Sequence, residues 1–172
     1  GHNGRHPLPA PEAWAATLGR WGVAPGVPVV AYDDHGGVYA ARAWWLLRWA
    51  GHAACAVLDG GRAAWRAAGG GLVTGAAGAA APQPPYPLAA TAAMPTLDTA
   101  AVQHALGPRV LVDARAPERY RGELEPLDPV AGHIPGAINR FFKLNLADDG
   151  RFKPAAQLRA EYAALLGGRA PR

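Results

Sequence analysis

Cysteine, methionine and lysine are nearly missing from this chain: Cys55 and Met94 each stand alone, and the lysines are only Lys143 and Lys153. One cysteine excludes an internal disulfide and any zinc site built from several thiolates. No apolar run approaches the length of about 20 residues that a membrane-crossing helix needs, so no membrane partner is expected. No charged-then-apolar leader is visible either, which predicts a cytoplasmic setting, although the opening GHNGRH does not look like a natural beginning. A basic run is also lacking. The net charge of +4 and a pI near 9.6 come from arginines scattered singly along the chain. That pattern predicts a solvated surface rather than a nucleic-acid-binding face.

What is present is alanine, glycine and proline in quantity, with six tryptophans and short Val/Leu runs to supply a core. At 172 residues the chain is one large domain or two small ones. In a first block, Pro11–Trp21 has helical spacing with Pro near its start and Gly22 after its end. Val29–Asp33 reads as a short apolar strand, Asp34-His35-Gly36-Gly37 as a tight turn, and Val38–Ala50 as a helix. A second strand, Ala54–Leu58, leads through Asp59-Gly60-Gly61 into a short helix, Arg62–Ala68. Strands alternating with helices predict an α/β fold with a parallel sheet covered by helices on both faces. Residues 69–95 are Gly/Ala-rich, then Pro-rich, without a sustained period, and read as an extended interdomain linker running over a surface. The second block, 96–172, has a helix opening near Asp98 and stopping at Gly107-Pro108, and a strand Arg109–Asp113. A polar segment, a GHIPGA turn and a closing helix Pro154–Leu166 follow.

The loop after the first strand has the form of an anion cradle. A strand feeding a glycine-bearing turn into a helix N-terminus gathers backbone N–H groups that favour an anion, and in several enzymes that anion is a cysteine thiolate or a phosphate. Here Asp33 leaves the strand. A carboxylate at that position supplies its own anion, satisfies the donors and keeps a low pKa. A general-base role for Asp33 is the lesser reading. Cys55, within the apolar stretch HAACAVLD, reads as a core residue and not as a nucleophile.

Residues 31–65 (AYDDHGGVYAARAWWLLRWAGHAACAVLDGGRAAW) resemble the second half of a rhodanese domain. Residues 110–123 (VLVDARAPERYRGE) and 130–139 (VAGHIPGAIN) resemble the first half of one. Together with 4–23 (GRHPLPAPEAWAATLGRWGV), they resemble the tandem-rhodanese sulfurtransferases that use thiosulfate or 3-mercaptopyruvate. The resemblance implies two incomplete rhodanese-like domains. Residues 1–68 would be the back part of an inactive one, in which Tyr32-Asp33 matches the pattern with aspartate in place of the active cysteine. Residues 96–172 would be the front part of the catalytic one, with its cysteine loop beyond the end of the chain. Pairing of the two blocks as one permuted domain is the architectural alternative.

The resemblance further implies a small anionic sulfur donor, a thiol or cyanide acceptor, a cysteine persulfide as carrier, and no metal or other cofactor. It places substrate binding on Arg119, since a guanidinium grips a sulfonate or carboxylate at two points. The alternative reading of Arg119 is a surface ion pair with Glu118 or Glu123. Asp113, Arg115 and His133 are expected as scaffold groups of the active loop. Mercaptopyruvate enzymes often carry Glu-Pro-Arg nearby; here Glu125-Pro126 is followed by Leu127-Asp128, which leans the donor towards thiosulfate. A non-catalytic rhodanese-like binding or regulatory module remains the other reading.

Overall fold

The computed structural model describes residues 6–75, 78, 80–89, 93–105 and 109–169. The chain divides into two compact units, Gly1–Pro95 and Thr96–Arg172.

In the first unit α1 spans Pro11–Arg20. Pro11 sits where a helix has no use for its missing N–H, and Glu12 faces the positive end of the helix dipole. The helix buries Trp14, Ala15, Leu18 and Gly19 along one stripe. The strand β1 (Val29–Ala31) pairs in parallel with β2 (Cys55–Val57), Val29 opposite Cys55 and Ala31 opposite Val57. Between them runs α2, Val38–Trp49, which lays Leu46 and Leu47 into the same core as Trp14, Leu18, Val23 and Tyr86. The Trp14 indole N–H donates to the Leu46 carbonyl at 3.0 Å and fixes α1 against α2. A third helix, α3 (Gly61–Ala67), follows β2.

Residues 83–89 form a strap over this core. Gln83 N–H donates to the Gly19 carbonyl at 2.8 Å, Tyr86 N–H to Ala15 at 3.0 Å and Ala89 N–H to Ala50 at 3.4 Å. Gly19 is required for this approach, because a Cβ there would lie 2.5 Å from the Pro84 carbonyl oxygen. Tyr86 inserts its ring into the core and shares a 3.1 Å hydrogen bond with Nδ1 of His52, a side chain only 1% exposed. The strap thus gives a Pro-rich segment one deep hydrophobic anchor and three backbone bonds.

The second unit is built differently. It contains α4 (Thr99–Ala105), β3 (Val112–Asp113), α5 (Pro117–Arg121), β4 (Ile138–Asn139), a 3₁₀ turn (Phe142–Asn145) and α6 (Ala155–Leu165). Gly107 and Pro108, the expected stop of α4, lie outside the described residues. The strands pair in parallel, Val112 opposite Ile138 and Asp113 opposite Asn139. Among the described residues Ala137 is the one hydrophobic side chain of this unit that is buried. Polar contacts carry much of the rest. The Asn139 amide donates to the Asp113 and Arg115 carbonyls at 3.0 and 2.9 Å, and Glu161 of α6 pairs with Arg140 and, at 3.0 Å, with Lys153.

The strands are shorter than their apolar runs suggested. Arg109–Asp113 yields regular pairing only at Val112–Asp113. The helix α5 falls in the segment read from sequence as merely polar.

Candidate functional site

The loop that follows β1 closes on itself through Asp33. Carboxylate oxygen Oδ1 accepts N–H bonds from His35 at 2.8 Å and Gly37 at 2.9 Å; Oδ2 accepts from Tyr39 and Ala40, each at 2.8 Å. Gly36 and Gly37 make the turn possible with φ of 72° and 84°, a region costly for other residues. The four donors converge because the chain turns through left-handed backbone straight into α2, whose first-turn N–H groups have no partner within the helix. Burial raises the Asp33 pKa, but the hydrogen bonds from Ala40, His35, Gly37 and Tyr39 outweigh it and hold the carboxyl below its ordinary value. The loop is pinned from the other side by α3. Arg62 Nε donates to Asp34 Oδ1 at 2.8 Å, and a Cβ on Gly61 would fall 2.3 Å from the Asp33 carbonyl oxygen.

Cys55 does not share this loop. It opens β2 opposite Val29, whereas Asp33 follows the far end of β1, so the strand register puts them at opposite ends of the sheet. Its thiol donates to the His52 carbonyl at 3.3 Å, and burial pushes its pKa up against the weaker opposing pull of Arg48. A raised pKa keeps the group a thiol and makes it a poor nucleophile. Beside the Asp33 loop lies an apolar cleft of about 380 Å³, lined by Trp14, Trp21 and Val30 and flanked by Tyr32 and Tyr39.

In the second unit the expected site residues lie on one ion-pair chain. Arg115 Nη2 and Nε bind Asp113 at 2.7 and 3.0 Å, and Nη2 also donates to the Gly132 carbonyl at 2.6 Å. Its Nη1 reaches Glu125 at 3.4 Å. Arg119, carried on α5, binds Glu125 through Nε at 3.2 Å and Nη2 at 2.7 Å, and Asp128 through Nη2 at 2.9 Å. Glu125 is only 4% exposed and also accepts the backbone N–H of Leu127 and Asp128. The Arg115 hydrogen bond lowers the Asp113 pKa, and the Arg119 bond does the same for Glu125, each outweighing desolvation. His133 accompanies this network. Its ring stacks on Tyr120 at 3.8 Å and its Nδ1 lies 2.7 Å from the Tyr120 carbonyl.

Asp113, Arg115 and Arg119 therefore meet through Glu125, with His133 tied to the turn that supplies Gly132. The partners of Arg119 differ from the sequence expectation: they are Glu125 and Asp128, while Glu123 binds Arg121 instead. The reason is the early end of α5 at Gly122, in left-handed conformation, which turns the chain so that Glu125 comes back under the helix. Pro117 at the first helical position, Glu118 after it and Gly122 at the end were a legible helix signature. Glu125 stood out in sequence only as the start of the Glu125-Pro126 pair, with no signal for its bond to Arg119. Among the described residues no group of three or more His, Cys, Asp or Glu could hold a metal ion, and no helix is long and apolar enough to cross a membrane.

These features define an α/β unit in which a strand-loop-helix turn is arranged around an anion. Comparison with known proteins gives the class. Residues 2–68 match the family model described as "Rhodanese-like domain". The chain is 48% identical over 176 residues to a protein of Pseudomonas aeruginosa named "Probable 3-mercaptopyruvate sulfurtransferase", covering 98% of this chain and 60% of that one. It is 35% identical over 167 residues to the bovine thiosulfate sulfurtransferase, covering 91% of this chain and 54% of the relative. Among solved structures, the 3-mercaptopyruvate sulfotransferase SseA of Escherichia coli superposes with a TM-score of 0.72 at 30% identity, over 95% of this chain and 60% of that one. The fold is thus the rhodanese α/β fold, with small parallel sheets and helices. The chain spans little more than half the length of these relatives.

Proposed function

We propose that the chain is part of a sulfurtransferase that moves sulfane sulfur from thiosulfate, or 3-mercaptopyruvate, to cyanide or a thiol acceptor through a cysteine persulfide. In that reaction a thiolate attacks the outer sulfur of thiosulfate, the S–S bond breaks and sulfite leaves. The acceptor then attacks the outer persulfide sulfur and releases the thiolate. Residues 1–68 contribute the silent, carboxylate-filled domain, 69–95 the connection, and 96–172 the donor-binding front of the catalytic domain. Asp113, Arg115 and His133 hold its loops in place, and Arg119 takes the donor's anionic head. The nucleophile comes from outside these 172 residues, because their one thiol, Cys55, is shielded and its pKa is raised. The setting is cytoplasmic, where a lone reduced cysteine persists.

The observation that carries this reading is the four-donor N–H cradle around position 33, an arrangement suited to a thiolate or persulfide and here filled by a carboxylate. The experiment restores sulfur to it. The chain itself yields no thiocyanate from thiosulfate and cyanide above background, and Cys55→Ser does not change this. In Asp33→Cys/Cys55→Ser the new thiol titrates below the free value of about 8.5, read from alkylation rate against pH, and thiosulfate converts it to a persulfide visible by mass. A thiol at 33 with an ordinary or raised pKa, or native turnover lost in Cys55→Ser, would sink the reading.

A further inference from the structure

The role given to Arg119 raises a question of occupancy. Its guanidinium has two edges able to hold an anion at two points: the side edge, Nε with Nη2, and the end edge, Nη1 with Nη2. Glu125 takes the side edge with both oxygens, and its own burial and two backbone donors make that pairing permanent. Nη2 also donates to Asp128 Oδ2 at 2.9 Å. Asp128 differs from Glu125 in every respect that governs displacement. Its side chain is 45% exposed and makes one contact where Glu125 makes several. No hydrogen bond from Nη1 is present among the described residues.

We infer that Asp128 is an intramolecular competitor for the sulfur donor: its carboxylate caps the end edge of Arg119 and must swing into solvent before a thiosulfate or mercaptopyruvate head can take Nη1 and Nη2 together. This rests on the reading of Arg119 as the donor-binding residue and adds a specificity-determining residue to it. A carboxylate tethered nine residues away is present at every moment, so a free anion is bound only with the affinity left after displacing it. The side edge stays with Glu125 throughout, which keeps the guanidinium plane oriented while the end edge exchanges. The end edge best matches anions whose two oxygens span both terminal nitrogens in parallel N–H···O bonds.

The test is thiosulfate binding to the 172-residue chain by calorimetry at constant ionic strength, with folding of each variant checked by circular dichroism. Asp128→Asn and Asp128→Ser tighten binding about five-fold, the scale of removing one exposed ion pair. Glu123→Gln, which removes a neighbouring negative charge that pairs with Arg121, stays within about two-fold of the native chain, showing that net charge is not the cause. Arg119→Gln abolishes the gain when combined with Asp128→Asn. If Arg119→Gln weakens binding while both Asp128 variants bind like the native chain, the competitor is refuted and Arg119 stands. If Arg119→Gln has no effect in either background, the assignment of Arg119 falls and the inference with it.

Discussion

Replacing Asp33 by asparagine tests whether the cradle depends on a charge or merely on a polar side chain of that shape. Each carboxylate oxygen takes two backbone N–H groups at 2.8–2.9 Å, so one side chain does the work of two helix caps. Losing a cap costs about 0.5–2 kcal/mol. Two sets of donors, discounted for the water that can reach a half-exposed loop, place Asp33→Ala at about 2–3 kcal/mol. Asparagine is isosteric but turns an NH₂ group towards one pair of N–H donors, where it cannot accept. It therefore falls close to alanine and not close to the native residue.

The assay is urea unfolding followed by tryptophan fluorescence. Trp14, Trp21, Trp44, Trp45, Trp49 and Trp65 all lie in the first unit, so the signal reports that unit alone. The pH dependence carries a sign. Because the folded pKa of Asp33 lies below its unfolded value, its contribution is complete above the unfolded pKa of about 4 and is lost as pH falls through the folded value. The stability gap between the native chain and the Asp33→Asn variant is thus wide at pH 7 and closes in acid. An Asp33→Asn chain within about 0.5 kcal/mol of native at pH 7 would refute the idea that the charge fills the cradle.

Two further outcomes follow from the packing. Gly19→Ala adds a good helix former inside α1, worth about 1 kcal/mol by propensity, yet its Cβ meets Pro84 and Gln83 carbonyls at 2.5 and 2.7 Å. The variant is less stable by the same fluorescence assay, and protease cuts the strap faster; a gain in stability would mean the strap does not bind there. In the second unit, hydrogen bonds from Arg140, Lys153 and Gln157 outweigh desolvation and lower the Glu161 pKa to about 2. Its contribution is present above the unfolded value of about 4.3 and fades as pH falls towards 2. Glu161→Gln removes that part of the acid dependence of hydrogen exchange in α6, and an unchanged acid profile would count against it.

The Asp33 loop was legible in the sequence because every part of it is local. Strand, aspartate, two glycines and helix start fall within a dozen residues, and the donors are backbone groups fixed by the turn. The helix α5 is equally local, since Pro117 and Gly122 bracket it, but its five residues are too few for an apolar period to stand out. Glu125 was not legible. Its pairing with Arg119 depends on the chain reversing after Gly122, and nothing in the spacing favours Glu125 over Glu123, which is nearer in sequence. The strap shows the same limit. Tyr86 stands in a segment whose composition says only that it has no structure of its own, and its burial depends on Gly19 and His52, distant in the chain. Residues that act on near neighbours reveal themselves in sequence; residues that act across a turn or a crossover do so only once the fold has brought them together.

Among the described residues, the Asp33 cradle and the proposed donor-binding guanidinium of Arg119 are both occupied by the chain's own carboxylates, and the physics of the two differs. Asp33 is held by four bonds, all to donors within seven residues, so the ligand and its cradle form as one piece when α2 forms. Displacing it would break four charge-assisted bonds at once for the gain of at most the same four, and no small anion in free solution has that advantage. Asp128 holds Arg119 by one bond from an exposed side chain, and an incoming anion can replace that bond and add another at Nη1. Asp33 is therefore a permanent occupant and Asp128 an exchangeable one. The distinction rests on the number of bonds and on solvent access rather than on charge, which is the same at both.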